Sequence, residues 1–173
     1  MGRKISLEEV KSVVEIMPKD KSPGPDGWTQ EIFSHFFHLM GRDLLEALEE
    51  SRIKGSVKGS LNETFVTLIP KTSNPEPFND FRPIALCNFS YKVISKLIAL
   101  RIKDKIALCI SKEQFGFLRD RLIFDAIGLA QGSLHSAKSR KPKALFLKLD
   151  LKKAYDKVNW NFLRMMLIQV GLK

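Results

Sequence analysis

Several features that would place this chain outside the cell or in a bilayer are missing from it. Cysteine is nearly absent: Cys87 and Cys109 are the two present. Neither lies near a second Cys or His at metal-ligand spacing, which excludes a disulfide framework and the common zinc motifs. Their apolar sequence surroundings point to buried free thiols. Long apolar runs are also missing. No stretch reaches the ~20 apolar residues that span a bilayer, because Lys and Arg interrupt every candidate. Met1 is followed by Gly-Arg-Lys and then a helix signature, with no apolar signal core or small-residue cleavage site. An intracellular, soluble chain is expected. Acidic residues are outnumbered, 19 Asp and Glu against 29 Lys and Arg, for a formal net charge of +10. That balance suits a polyanionic partner, since basic side chains displace counterions from phosphate backbones. It equally suits an ordinary basic protein. There is no internal repeat and no low-complexity tract. What is present is ample apolar material, 44% of 173 residues, enough for the core of one domain or a substantial piece of one.

Local signals give the organisation. Ser6 and Glu9 form a capping box, and Ile5 can staple the turn. Val10, Val13, Val14 and Met17 follow at helical spacing, and Pro18 stops the helix. Residues 19–28, KDKSPGPDGW, are a Pro/Gly/Asp loop. A second helix begins near Thr29 with the face Ile32, Phe33, Phe36, Phe37 and Met40. Gly41 is read as its punctuation, and a third helix carries Leu44, Leu45 and Leu48. Residues 63–71, closed by Pro70, and residues 81–88 read as two strands. The polar connection TSNPEPFND joins them into a hairpin with an unusually long loop. A long helix is expected from Phe89 to Ile110, with Val93, Ile94, Leu97, Ile98 and Ile102 on its apolar arc. Arg101 and Lys105 fall inside that arc and must snorkel or bend the helix. Lys92, Lys96 and Lys103 form a stripe that faces either phosphates or solvent. Another helix runs from Leu122 to about Ser136, with Ile123, Ala126, Ile127 and Ala130 inward. Residues 144–151, ALFLKLDL, have the pattern of a strand buried on both faces, and a last helix starts near Asn159. The class is α+β.

Asp150, at the end of that expected strand, is the most informative position. A carboxylate on a rigid element at a sheet edge is well placed to hold Mg²⁺, which takes oxygen ligands. The plainer alternative is a turn cap. The residues that follow, DLKKAYDKV (150–158), resemble the first catalytic motif of reverse transcriptases in the form used by non-LTR (LINE-type) retrotransposons, especially those of plants. Further segments match in order. KSPGPDG (21–27) resembles the family's entry loop, LIPK (68–71) with FRPIAL (81–86) its finger hairpin, and EQFGF (113–117) the segment before the palm.

The resemblance implies a fold and a set of roles. The fold is reverse-transcriptase fingers with an incomplete palm, a truncated right-hand polymerase preceded by helices. Residues 1–60 would be the helical segment with its Pro/Gly loop, and residues 61–173 the fingers and first part of the palm. The activity is RNA-directed DNA polymerisation, with RNA template, DNA primer and dNTP as partners. No membrane or protein partner is implied, and within the cell the nucleus is a compartment compatible with the family. Asp150 would be the first metal-binding aspartate and the Leu151 carbonyl a further ligand of a two-Mg²⁺ site. Lys71 and Arg82 would grip the triphosphate, as a point charge and a planar fork; without the motif either is an ordinary surface cation. Tyr155 would sit beside the nucleotide sugar; without the motif it is a core aromatic. Gln114, Gly116 and Phe117 would lie near template and nucleotide. Asp156 is expected to cap a helix or form a salt bridge.

The chain departs from the pattern in two places. After EQFGF the family continues into Gly-Arg, where this chain has Leu118-Arg119-Asp120-Arg121. The family's later pair of adjacent aspartates is absent from these 173 residues, as are a thumb and anything like an endonuclease domain. Half of the metal ligands are therefore missing. The chain is expected to be inactive by itself and poorly soluble, because the strand ending at Asp150 would have an unpaired edge. A non-catalytic basic nucleic-acid-binding remnant and a group II intron maturase-like relative are the alternatives.

Overall fold

The computed structural model describes residues 2–118, 121–140, 143, 145–151, 154 and 157–172. The chain forms two compact units, residues 1–101 and 102–173.

The first unit opens with helix α1 (Leu7–Ile16). The Ser6 side chain accepts from the Glu9 amide at 3.2 Å, and Met17, in extended conformation before Pro18, ends the helix. Helix α2 (Gln30–His35) starts after Thr29, and α3 (Phe37–Lys54) follows it through a break at Phe36. The break therefore comes before Gly41, not at it. Gly41 is buried inside α3, where a Cβ would come within 2.8 Å of the Phe37 ring one turn earlier. The glycine is a packing site for that ring. The helix stops instead at Gly55, whose φ of 64° suits a residue without Cβ.

Strands β1 (Thr64–Pro70) and β2 (Phe81–Cys87) form an antiparallel hairpin, with Thr64 opposite Cys87 and Pro70 opposite Phe81. Its long loop is tied at the mouth, where the Lys71 amide donates to the Asp80 carbonyl at 2.7 Å. Every residue of β1 is exposed. Pro70 and Pro83 are tolerated because a two-stranded sheet consists of edge strands. Helix α4 (Phe89–Cys109) follows directly.

The core of this unit is Val10, Val13 and Val14 of α1, Phe33 of α2, Leu44 and Leu48 of α3, and Phe89, Val93, Ile94 and Leu97 of α4, with Ile5. Each fully buried valine contributes about 1.5–3 kcal/mol relative to exposure. Phe33 and Phe89 stack with centroids 4.3 Å apart, joining α2 to α4. Arg101 is half-buried at the edge of the apolar arc, where it finds a carboxylate partner. It meets Glu9 at 2.7 and 2.8 Å and donates to the carbonyls of Arg3 and Lys4. Ile98, also expected inward, is 41% exposed. Neither thiol is buried: Cys87, the last residue of β2, is half-buried and Cys109 is exposed.

The second unit holds α5 (Ile123–Arg140) and α6 (Trp160–Gln169). Asn159 caps α6, its side chain accepting from the Phe162 amide at 3.0 Å. At the other end the Leu172 amide bonds back to the Leu167 carbonyl, with Gly171 at φ 85° between them. Two expectations are corrected here. No residue of α5 is buried, and Ile123 and Ile127 are 63% and 46% exposed. Residues 145–151 form no strand and are exposed throughout. An apolar run becomes a strand only where a neighbour takes its N–H and C=O groups, and the sheet of the described residues consists of β1 and β2.

Candidate nucleotide site

The hairpin register decides where its two cations lie. Arg82 stands opposite Ile69, and Lys71, two residues beyond Ile69, continues the ladder opposite Asp80. Side chains alternate along a strand, so Lys71 and Arg82 share one face as diagonal neighbours, about 7–8 Å apart. The Lys71 ammonium donates to the Asn79 carbonyl at 2.5 Å, which holds it at the loop mouth. No carboxylate pairs with Arg82 among the described residues. The same face carries Phe65, Thr67, Ile84 and Leu86, an apolar floor behind the charges.

Lys71 and Arg82 belong to the first unit, and Gln114, Asp150 and Leu151 to the second. Asp150 and Leu151 lie in the irregular, exposed segment 145–151. Tyr155 and Asp156 fall outside the described residues. The Gln114 amide nitrogen donates to the Gly116 carbonyl at 3.3 Å, and its own carbonyl accepts from Arg121 at 2.7 Å. Arg121 also bonds the carbonyls of Ser111 and Ile110. It thereby fastens the loop where the chain departs from the family pattern, a role that charge alone did not signal. Phe117 stands at φ 65° and is 95% exposed.

Magnesium needs several oxygen ligands, usually including more than one carboxylate or phosphate. Among the described residues no three Asp, Glu, His or Cys side chains come together to hold a metal. Asp150 and the Leu151 carbonyl do not by themselves make such a site.

The KSPGPDG loop is fastened more tightly than its composition suggests. Asp26 Oδ2 accepts from the Phe89 amide at 2.8 Å, capping α4, and Oδ1 accepts from Trp28 at 3.2 Å. The Asp26 amide in turn donates to Asn88 Oδ1 at 3.0 Å. Lys92 of the lysine stripe donates to the Ser22 carbonyl at 2.9 Å. At Gly24 a Cβ would fall 2.4 Å from the Cys87 carbonyl carbon and oxygen, so the loop's backbone lies directly on that of β2. Behind the loop is a cavity of about 300 Å³ lined by Lys21, Trp28, Gln30, Leu86, Phe89 and Lys92.

A hairpin with a basic pair on one face, preceded by a loop fastened to its base, matches the order of segments noted in the sequence. The family model for "Reverse transcriptase (RNA-dependent DNA polymerase)" matches residues 69–173. The chain belongs to the reverse transcriptase family. It is also 35% identical over 159 residues to the "Transposon TX1 uncharacterized 149 kDa protein" of Xenopus laevis. That match covers 92% of this chain and 12% of the relative, so the chain spans about an eighth of the protein it resembles. No helix of the described residues is long and apolar enough to cross a membrane.

Proposed function

We propose that the chain is the fingers and first palm segment of an RNA-directed DNA polymerase encoded by a non-LTR retrotransposon. Residues 61–173 would be that portion, led in by the helices of residues 1–60. The observation that carries the reading is the family match over 69–173, which takes in Arg82 and Lys71 on their shared hairpin face. The transposon relative supports the element type.

In this reading Lys71 and Arg82 bind the phosphates of an incoming dNTP. A lysine supplies a compact charge and an arginine a fork that fits two oxygens. Gln114 and Tyr155 contact nucleotide or template, and Asp150 with the Leu151 carbonyl contributes to the Mg²⁺ site. Mg²⁺, when bound, would supply charge neutralisation on the phosphates. The adjacent aspartates needed for the rest of that site are absent from the sequence.

The test is primer extension on an RNA template. A polymerase that contains this segment together with an Asp-Asp motif extends the primer, and Asp150→Ala abolishes extension. The 173-residue chain gives no product above a blank. Extension that survives Asp150→Ala would overturn the assignment of Asp150.

A second reading rests on the net charge of +10: a basic module that binds nucleic acid without catalysis. Its mark is affinity for RNA or DNA that falls steeply with salt while Lys71→Ala and Arg82→Ala leave dNTP binding unchanged.

A further inference from the structure

We propose that Asp26 and Asn88 are positioning residues for the β1–β2 hairpin, a latch that fixes the direction in which Lys71 and Arg82 are presented. The proposal rests on the nucleotide-binding reading of that pair. Strand β1 is exposed along its length, and β2 is exposed from Arg82 to Ala85. The hairpin is held at its base, and Asn88 is where the holding converges. The Asn88 amide donates to Glu63 at 3.2 Å, just before β1. Its side-chain nitrogen donates to Ser60 at 2.9 Å, and its side-chain oxygen accepts from Asp26 at 3.0 Å. Asp26 returns the contact by capping Phe89, the next residue. Asn88 is 4% exposed, so water does not compete for these bonds.

The lever is long. A seven-residue strand spans about 23 Å, so a slack of roughly 10° at the base moves the tip by about 4 Å. That exceeds the tolerance of a hydrogen bond to phosphate. Lys71 and Arg82 lie at the tip end, opposite the latch. Gly24 lets the loop sit flush on Cys87, which brings Asp26 within reach.

The sign of one substitution separates positioning from charge. Asp26→Asn removes a negative charge from a dNTP-binding protein, so electrostatics alone predicts tighter triphosphate binding. The latch predicts weaker binding, because an amide oxygen replaces a carboxylate that accepts twice. The experiment uses the full chain, with far-UV circular dichroism to verify folding. It measures anisotropy of a fluorescent dNTP with Mg²⁺ and hydrogen exchange of the hairpin amides. In Asp26→Asn, affinity is expected to fall about threefold to tenfold, with faster exchange at the base amides of Asn88 and Phe89. Asn88→Ala behaves alike, and the double variant is no worse than the worse single one, as expected for one coupled unit. Unchanged or tighter dNTP binding in both variants overturns the proposal, as does unchanged hairpin exchange. If the parent chain binds no dNTP, the nucleotide-grip reading fails, and hairpin exchange alone decides whether the latch exists.

Discussion

The Arg101 guanidinium closes on the Glu9 carboxylate across 92 residues of chain, Nη2 to Oε2 at 2.7 Å and Nε to Oε1 at 2.8 Å. The same guanidinium reaches the carbonyls of Arg3 and Lys4, so one side chain fastens the N-terminal strap to α4. A planar fork does this and an ammonium does not. Glu9→Gln removes the charge from the partner of a half-buried guanidinium and is expected to cost about 2 kcal/mol. Arg101→Lys is expected to cost at least as much, since several bonds are lost. Urea unfolding of each variant measures the change.

Two glycines of the same loop should respond differently. Gly24→Ala drives a methyl group into the Cys87 backbone and is expected to cost about 3 kcal/mol or to free the loop altogether. Gly27 has open space around it and a φ of +70°, so Gly27→Ala is expected to cost only about 1 kcal/mol of backbone strain. Thermal melts of the pair, with proteolysis at the loop as a second readout, test the contrast.

Acid should loosen the N-terminal strap first. Arg52 beside Glu49, helped by the Ile5 amide, holds the Glu49 carboxyl at about 2, below its ordinary 4.5. Hydrogen bonding to Arg101 lowers Glu9 as well. A depressed carboxyl in the folded state means that the unfolded chain binds protons first. The stabilisation is therefore complete above about pH 5 and is lost as pH falls from 4.5 toward 2. Glu49→Gln should flatten that part of the stability curve. A denaturation midpoint that falls equally steeply in the variant would contradict the assignment.

Lys71→Ala and Arg82→Ala should each weaken dNTP binding roughly tenfold while leaving stability nearly unchanged, because both side chains are exposed. Arg82→Lys should recover only part of the loss, since the fork is gone. Equal binding by parent and variants, measured by dye-labelled dNTP titration, would remove the hairpin face from the site.

The sequence was most legible where structure is set by neighbours in the chain. Ser6, Pro18, Thr29 and Asn159 mark helix limits because caps and prolines act within a turn. Pro70 and the following polar loop marked the hairpin for the same reason. Gly41 misled, since a glycine in a helical pattern reads as a stop, whereas here it makes room for the Phe37 ring. Residues 145–151 misled in another way: the apolar pattern is that of a strand, but pairing depends on a partner that the pattern does not contain. Arg101 was conspicuous as a misfit, yet its partner lies at Glu9, a distance no periodicity spans. Of the candidate site, the identity of Lys71 and Arg82 came from motif resemblance and their shared face from register. The Asp26–Asn88 clasp had no local signal, because a loop aspartate looks alike whether it caps its own turn or a helix 63 residues later.

The core described above also sets an order of events during synthesis. The helices α1, α2 and α3 leave the ribosome first, but the core that they share is completed by Phe89, Val93, Ile94 and Leu97 of α4. Until those residues emerge, the nascent chain carries an open apolar groove and an unclasped loop. The hairpin is made before its anchor exists, since Asn88 follows it directly. Docking of α4 thus closes the core and seats the hairpin in a single late step, and a chaperone that shields apolar surface would have its target in the interval before it.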